Sequence, residues 1–199
     1  MLGYCREMSL QFAVLGVLEA RPMTGYELTQ MFEATARWVW AAPQSNIYPL
    51  LKKLETSGLI AGEEQIRGAK LKRTLYSITP AGLDALRHWL GEDLGAPNPR
   101  DPLLVQSLFF DMVDPAIATN VLEAHIGELR NCLQLWSIHR DTLLAGDTEL
   151  LRERLKRRAP AEHRRISRIK AHVFDFLIDS AELRVRWAQR MIEILHDDG

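Results

Sequence analysis

The segment between residues 44 and 53 combines two amides, two hydroxyl groups and two lysines with a periodic apolar pattern. Its apolar residues recur every three or four positions, which predicts an amphipathic helix with one buried face. Amide side chains pair with the edges of adenine bases, lysine binds guanine or phosphate, and hydroxyl groups bind phosphate oxygens. The polar face therefore has the chemistry of a DNA-contacting surface. Its candidate contacts are Gln44, Ser45, Asn46, Tyr48, Lys52 and Lys53.

Pro49 lies close to the start of this predicted helix. The amides of a first helical turn have no intrahelical partner, so a proline there removes no hydrogen bond. We therefore expect the helix to begin at about Ser45 or Asn46 and to end at Gly58. In a helix-turn-helix motif, the second helix lies in the major groove with its N-terminal residues nearest the bases. The polar residues at the start of this helix fit that position.

A cluster of cations follows the helix, with no acidic residue among them. The residues on either side, 59–66 and 72–78, alternate with a period of two, which predicts a β-hairpin whose tip carries the cations. A basic hairpin of this kind can lie along the phosphate backbone or enter the minor groove. The cations are Arg67, Lys70, Lys72 and Arg73.

Two helices are predicted before the polar helix, and one after the hairpin. The first is the apolar run 10–18, and the second begins at Thr24, where Glu27 can complete a capping box. Thr79, followed by a proline, predicts the start of the helix after the hairpin. This order of elements predicts a mainly α chain whose N-terminal domain, residues 1–94, is a winged helix-turn-helix with a two-stranded wing.

Residues 95–102, GAPNPRDP, interrupt the helical patterns and form the predicted linker. The following domain, 103–199, is predicted to be all helical, with helices over 103–112, about 115–144 and about 160–196. The apolar stripe of the last helix extends over about four heptads, longer than one small domain buries alone. We therefore predict a dimerisation domain. Its predicted contacts are Ile166, Val173, Phe176, Leu177, Leu183, Trp187, Met191 and Ile194.

Three segments resemble the signature sequences of PadR-type transcriptional regulators: TGYELTQMF (24–32), SNIYPLLKKLETSGLI (45–60) and RTLYSITPAGLDAL (73–86). The second half is similar to the helical C-terminal domain of the longer members. The resemblance implies a homodimeric repressor that, in some members, responds to a small aromatic or drug-like compound. It further implies DNA-facing roles for Tyr26, Ser45, Asn46, Tyr48 and Lys52. Asn46 occupies a place often held by Thr or Gln, so the base preference there is open.

The tryptophans have two interpretations. Trp136 and Trp187 fall on the apolar faces of the long helices, where core or dimer packing is the first interpretation. Trp38 and Trp40 precede the polar helix in the segment WVWAAP. Because pockets form at domain interfaces, an aromatic pocket for a planar effector is the alternative. Its candidate residues are Trp38, Trp40 and Trp136.

Two other groups of polar residues favour solvated surface over a site. The run 152–170 holds nine cations and two acids, so it could contact DNA or an acidic partner, but charge runs are usually solvated. His172, Asp175 and Asp179 recur at helical spacing, with His163 nearby. A metal would need more ligands on one face, so we predict no metal and no cofactor.

The composition is that of an ordinary globular protein, with 47% hydrophobic and 26% charged residues and a net charge of -1. DNA binding must therefore depend on local charge. Cys5 and Cys132 are too few for a disulfide framework, and no apolar run approaches the ~20 residues that span a bilayer. We expect a cytoplasmic location. No catalytic motif occurs, so we predict no enzyme.

The sequence thus predicts a homodimeric, sequence-specific regulator that binds a pseudo-palindromic DNA operator. The resemblance to PadR-type regulators further implies a repressor that a small aromatic effector releases from DNA, and we expect no membrane partner. The alternative is a winged-helix module for protein–protein interaction without specific DNA binding. That alternative predicts an unchanged DNA affinity after Lys52→Ala or Tyr48→Ala.

Overall fold

The chain divides into two units, residues 1–94 and 95–199, and the described part of the first contains four helices and a small sheet. The computed structural model describes residues 2–34, 46–67, 71–95 and 101–197, without the side chains of 2–9, 34, 66–67 and 71–72. The elements of the first unit are α1 (Leu2–Leu18), β1 (Met23–Thr24), α2 (Gly25–Ala34), α3 (Ile47–Thr56), β2 (Ile60–Arg67), β3 (Leu71–Ile78) and α4 (Pro80–Leu90).

The core of this unit forms where the helices turn their apolar faces toward one another. Leu15, Leu28 and Leu54 have no exposed surface. At the edge of the core, the ring of Phe12 stacks on Trp89 of α4, with ring centroids 4.7 Å apart. Aromatic stacking adds to the burial of both rings. The helical periodicity of the sequence therefore identifies the buried faces of α1, α2 and α3.

The capping box predicted at the start of α2 is confirmed. The backbone N–H of Thr24 donates to Oε2 of Glu27 over 2.7 Å, and the N–H of Glu27 donates to Oγ1 of Thr24 over 3.2 Å. Burial alone would raise the pKa of Glu27, but the Thr24 hydrogen bonds and the nearby Arg21 hold it below its ordinary value. The carboxylate therefore stays charged where the first amides of α2 need an acceptor.

Helix α3 begins where the proline predicts. Its N-terminal flanking residue is Asn46, Pro49 lies in the first turn, and Gly58 has a φ of 71° just after the helix ends. This left-handed conformation favours glycine, which lacks the Cβ that would clash. The chain then turns directly into β2.

The predicted hairpin is confirmed as strands β2 and β3, paired antiparallel from Ile60 opposite Ile78 to Arg67 opposite Leu71. A third strand was not predicted. The two residues of β1 pair with β3 on its other edge, with Met23 opposite Tyr76. The sheet therefore joins the wing to the turn between α1 and α2.

The segment Thr79 to Gly82 attaches α4 to the turn after α3. Oγ1 of Thr79 accepts a hydrogen bond from the N–H of Gly82 over 3.1 Å and donates to the carbonyl oxygen of Gly58 over 2.7 Å. The carbonyl oxygen of Leu59 lies so close that a Cβ at Gly82 would be 2.0 Å from it. The first turn of α4 can approach this turn only because residue 82 is glycine.

The second unit is entirely helical in the part that the structure describes. Its elements are α5 (Pro102–Ser107), a 3₁₀ helix (Phe110–Met112), α6 (Pro115–Leu144), α7 (Glu149–Leu155) and α8 (Pro160–Leu195). The prediction of one helix over 103–112 is wrong, because the chain breaks after Ser107. Leu103 and Phe110 pack on the core of the unit while the residues between them are largely exposed, so no continuous face is available for burial.

Helices α6 and α8 pack against each other and carry the core of this unit. The buried residues of α8 follow an alternating spacing of four and three. Most of them are small, which allows the two helices to approach closely. They are Ser167, Ala171, Phe174, Ile178, Ala181 and Ala188. The facing buried residues of α6 are Ala118, Leu122, Ile126 and Leu143.

An ion pair between Asp101 and Arg184 joins the start of α5 to α8. Burial would raise the pKa of Asp101, but the hydrogen bond and charge of Arg184 hold it below its ordinary value. Burial lowers the pKa of His125, and the charge of Arg184 lowers it further against the opposing effect of Asp101. Nε2 of His125 is buried and has no hydrogen-bond partner among the described residues.

These shifts predict that acidification weakens the second unit. A histidine whose folded pKa is depressed binds fewer protons when folded than when unfolded, so its stabilisation is full above the ordinary pKa of about 6.5. We expect the free energy of unfolding to fall as the pH drops below that value. His125→Leu should reduce this slope relative to the wild type. Urea unfolding at a series of pH values measures both slopes, and equal slopes would contradict the assignment.

Candidate nucleic-acid interface

The outer face of α3 carries the predicted contacts that the structure describes. Ile47 and Leu51 are 1% exposed and turn toward the core, whereas Asn46, Tyr48 and Lys52 are exposed. Lys53 is exposed beside them, and Gln44 and Ser45 lie outside the described residues. No acidic residue occurs in the first turn of α3, where the helix dipole is positive. The face can therefore accept a phosphate or a base edge.

Gly25 fixes the position of the Tyr48 ring against the start of α2. A Cβ at Gly25 would lie 2.8 Å from Cε1 of Tyr48 and 3.3 Å from Cδ1 of Leu51. The edge of the ring near Cε1 and Cζ thus packs directly on the backbone of α2, while Tyr48 as a whole remains 57% exposed. The neighbouring Tyr26 is 67% exposed. The sequence pattern predicts contacts for both tyrosines but does not indicate the role of the glycine between Thr24 and Tyr26.

This packing predicts the effect of Gly25→Ala. The new methyl group must displace the end of the Tyr48 ring, which is flexible, so the cost in folding stability should stay below about 1 kcal/mol. The phenol would move out of position, and we expect a loss of DNA affinity of about tenfold. The control is Gly127→Ala, where nothing lies within 4 Å of the added Cβ. Thermal unfolding and fluorescence anisotropy separate the two effects, and unchanged DNA affinity would contradict this role.

A carboxylate borders the face on the side of the sheet. A Cβ at residue 62 would lie 2.4 Å from Oε1 of Glu55. Because Gly62 has no Cβ, the Glu55 side chain has room to lie over β2. Burial raises the pKa of Tyr76, and the charges of Glu55 and Tyr48 raise it further against a hydrogen bond with Thr74. The Tyr76 hydroxyl therefore stays neutral and can donate a hydrogen bond. Nothing in the sequence pattern assigns Glu55 or Tyr76 to this region.

The wing holds its described arginine by a cross-strand hydrogen bond. The guanidinium of the exposed Arg73 donates to Oε1 of Gln65, its partner across the strand pair, over 3.0 Å. The backbones of Arg67 and Lys72 lie in β2 and β3, but their side chains are outside the described residues, as is all of Lys70. The basic tip therefore stays a prediction except at Arg73.

The predicted dimer contacts on α8 fall into two groups. The first group is largely exposed: Val173 (45%), Phe176 (70%), Leu183 (61%) and Ile194 (54%). The second group is half-buried and comprises Ile166, Leu177, Trp187 and Met191. Within it, Trp187 and Met191 pack partly on the core of their own unit.

The candidate effector residues can be placed only in part. Trp136 lies on α6, half-buried, and its indole Nε1 is buried without a hydrogen-bond partner among the described residues. Trp38 and Trp40 lie outside that part of the chain. A pocket formed by the three tryptophans therefore stays a prediction.

The polar residues of α8 form local pairs. Nδ1 of His172 and Oδ2 of Asp175 are 3.1 Å apart. Across residues 2–34, 46–67, 71–95 and 101–197, no three His, Cys, Asp or Glu side chains are grouped to hold a metal ion. None of the described helices combines the length and apolar character needed to cross a membrane.

The exposed face of α3, the capping box of α2 and the wing lie within one segment of matched sequence. Residues 14–88 match the model of the transcriptional regulator PadR-like family. The chain carries a PadR-like domain. The resemblance seen in the sequence is confirmed over these residues, and the matched family is one of transcriptional regulators.

Two curated relatives match this chain over about half of its length. The negative transcriptional regulator PadR of Bacillus subtilis is 30% identical over 115 residues, 57% of this chain and 63% of that protein. The probable transcriptional regulator Rv1176c of Mycobacterium tuberculosis is 26% identical over 92 residues, 46% of this chain and 49% of that protein. The chain thus matches less than two thirds of the length of each of these relatives.

Solved structures share the fold over nearly the whole chain. B. subtilis PadR in complex with operator DNA gives a TM-score of 0.75 at 22% identity, covering 94% of this chain and 99% of that one. The Vibrio cholerae virulence activator AphA gives 0.68 at 21% identity, covering 96% and 99%. PadR has also been solved in complex with p-coumaric acid, with a TM-score of 0.70 and 21% identity. The predicted fold class, a winged helix-turn-helix followed by a helical domain, is confirmed.

Proposed function

We propose that this protein is a homodimeric transcriptional regulator that binds a specific DNA operator through α3 and the wing. The observation that carries the proposal is the exposed face of α3, where Asn46, Tyr48 and Lys52 project from a helix whose opposite side is fully buried. The fold likeness to PadR bound to operator DNA supports the same orientation. A cytoplasmic location, as the sequence predicts, would bring the chain to its DNA. We assign it no catalytic step.

Each group on this surface has a role in the proposed complex. The start of α3 would enter the major groove, where the Asn46 amide can pair with a base edge. Tyr48 and Lys52 lie one turn apart and would hold the phosphates that flank the contacted bases. Arg73 on the wing would contact the backbone further along the duplex. Phosphate contacts would provide affinity, and base contacts would provide specificity.

The dimer is proposed from the apolar residues of α8 that remain exposed. Three of these exposed residues each follow a buried residue of α8 by two positions, which corresponds to about 200° around the helix. They are Val173, Phe176 and Leu183. Helix α8 is therefore apolar on two nearly opposite faces, and α6 covers only one. An exposed apolar stripe of this length is costly in water and typical of a helix that pairs with a second copy. A two-fold dimer would present two α3 helices to the halves of a pseudo-palindromic operator.

We further propose that the regulator is a repressor released by a small aromatic effector. The relative PadR is named a negative regulator and has been solved with p-coumaric acid, whereas AphA is named an activator. The buried Trp136 indole N–H, which lacks a partner in the described residues, is available to bind a ligand acceptor. Adding p-coumarate to the operator complex tests this proposal. Weakened binding supports release, and unchanged or strengthened binding contradicts it for this compound.

Substitutions on α3 test the DNA surface. Lys52→Ala removes a phosphate contact, so we expect a loss of about 1–3 kcal/mol in DNA affinity and a salt slope reduced by about one. Tyr48→Ala should cost a similar amount. The control is Arg186→Ala, which removes an exposed cation of the second unit that pairs with Glu182 and lies outside the basic run 152–170. Fluorescence anisotropy with a labelled operator measures the affinities.

The result also separates the proposal from the alternative of a protein-interaction module. Such a module predicts that the variants on α3 and the control bind DNA equally. A selective loss in Lys52→Ala and Tyr48→Ala supports the regulator. Equal affinities in all four proteins, including the wild type, would contradict it.

A further inference from the structure

A cleft of about 590 Å³ lies in the second unit, between the end of α6 and the first half of α8. None of its lining residues belongs to α3, and none is one of the tryptophans considered above. Three arginines line it within five residues of α8, and Leu144 contributes the wall from α6. The remaining lining residues are Ala161, Ile169, Ala171, His172 and Asp175.

Two of the three arginines have no partner within the part of the chain that the structure describes. Arg164 and Arg168 are four positions apart, so their guanidinium groups project from the same face of α8. Neither makes an ion pair or a side-chain hydrogen bond to a described residue. The third, Arg165, is 3.1 Å from Oε1 of Glu162. Two neighbouring guanidinium groups therefore face the cleft with their donors unused.

The single acid of the cleft does not neutralise them. Asp175 lies 3.1 Å from Nδ1 of His172 and 3.8 Å from NH1 of Arg140, so both of its oxygens have other partners. Like charges one helical turn apart repel each other. An anion between Arg164 and Arg168 would relieve that repulsion and satisfy their planar donor groups.

Apart from the arginines, His172 and Asp175, the lining of the cleft is apolar, which limits the kind of anion that fits. Ile169 and Leu144 are each at least half exposed beside the arginines, and Ala161 and Ala171 leave space between them. An inorganic ion would leave these side chains in water. A ligand with a hydrophobic body would cover them while its anionic group meets the guanidinium groups.

We propose that this cleft binds a small organic anion, a carboxylate or phosphate ester carried on an apolar or aromatic body. Arginine suits this role because its guanidinium binds either anion through two parallel hydrogen bonds. A DNA backbone would contact cations on an open surface and would not fill an apolar recess. Binding of the anion does not depend on the proposed DNA function.

Isothermal titration of the full chain with benzoate and phenyl phosphate tests the proposal. Benzyl alcohol provides the neutral control, inorganic phosphate provides the anion without an apolar body, and all titrations share one ionic strength. We expect saturable binding of at least one organic anion below about 10 mM, and neither control should match it. The double variant Arg164→Gln/Arg168→Gln should lose at least about tenfold in affinity. Arg186→Gln is the matched control, because Arg186 is exposed on the same helix and outside the cleft.

A second variant tests the apolar wall without changing the charge. Leu144→Gln should lower the affinity for phenyl phosphate and leave the affinity for inorganic phosphate unchanged. The proposal is overturned if neither organic anion binds, if inorganic phosphate binds as tightly, or if the double variant binds like Arg186→Gln. It is also overturned if the double variant no longer forms the dimer, since a second copy would then occupy the cleft. The same holds if the double variant loses affinity for all DNA duplexes by the same factor, since nucleic acid would then occupy it. Because the titrations contain no DNA, a failure of operator binding remains a separate result.

Discussion

Phe176→Glu is expected to convert the proposed dimer into a folded monomer. Phe176 is 70% exposed in the single chain, so the substitution removes no contact from the core of its own unit. At a two-fold interface each substitution acts on both copies, and it would place a carboxylate on the apolar stripe of α8. Burying an unpaired charge is costly, so we expect dimer affinity to fall by about 100-fold or more, about 3 kcal/mol.

Sedimentation velocity at low micromolar concentration distinguishes the monomer from the dimer, and circular dichroism shows whether the helices remain. The matched control is Gln189→Glu, which adds the same charge to an exposed residue of α8 next to the buried Ala188 and off the exposed stripe. We expect it to remain dimeric. If Phe176→Glu also remains dimeric, the stripe through residues 173–194 is not the interface.

Gly82→Ala should produce the largest loss of stability in the N-terminal unit. The added Cβ would lie 2.0 Å from the carbonyl oxygen of Leu59 and 3.0 Å from Cγ1 of Ile78. The nearer atom belongs to the backbone, which also accepts a hydrogen bond from the N–H of Thr79, so it cannot move alone. We expect a cost of roughly 3 kcal/mol and a fall in unfolding temperature of about 10 °C or more for this unit.

Gly16→Ala is the control for this substitution, with the opposite expected sign. Gly16 lies inside α1, and nothing lies within 4 Å of the added Cβ. Alanine in a helix is more favourable than glycine by about 0.5–1 kcal/mol, so this variant should be more stable. Calorimetry of the full chain measures both. If the two alanine variants unfold alike, the contact between α4 and the turn after α3 does not hold the unit together.

The parts of the fold that the sequence predicts are those with a local cause. Thr24 and Glu27 are three positions apart and satisfy each other at the start of α2, which a capping box requires. Gly58 ends α3 because the chain needs a left-handed residue there. By contrast, the two-residue strand β1 exists only because β3 lies beside it, and nothing in Met23 or Thr24 alone indicates a strand.

The last helix shows why apolar periodicity can mislead. The sequence pattern emphasises large residues such as Phe176 and Leu183, and these lie on the exposed side of α8. The side that packs on α6 is carried largely by Ala171, Ala181 and Ala188, whose small size allows close approach and gives a weak hydrophobic pattern. Part of the predicted stripe therefore faces away from the helix pair, toward where we propose the second copy.

The side chains of the candidate site could be predicted from the sequence, but the contacts that hold them in position could not. The polar face of α3 follows from helical spacing, so Asn46, Tyr48 and Lys52 were found directly. The backbone contact that positions Tyr48 involves Gly25 on another helix. A glycine in a sequence does not show which side chain packs against its backbone, where other residues have a Cβ. Contacts between elements distant in sequence need the fold before they can be identified.

The central claim is that this protein recognises specific DNA through α3. The most direct test is fluorescence anisotropy of the wild-type chain with DNA from upstream of its own gene and with a scrambled duplex, over a series of salt concentrations. We predict tight binding to the first duplex, with a steep salt dependence and an advantage of about 4 kcal/mol or more over the scrambled one. Weak and equal binding to the two duplexes, unchanged by Tyr48→Ala, would contradict the claim.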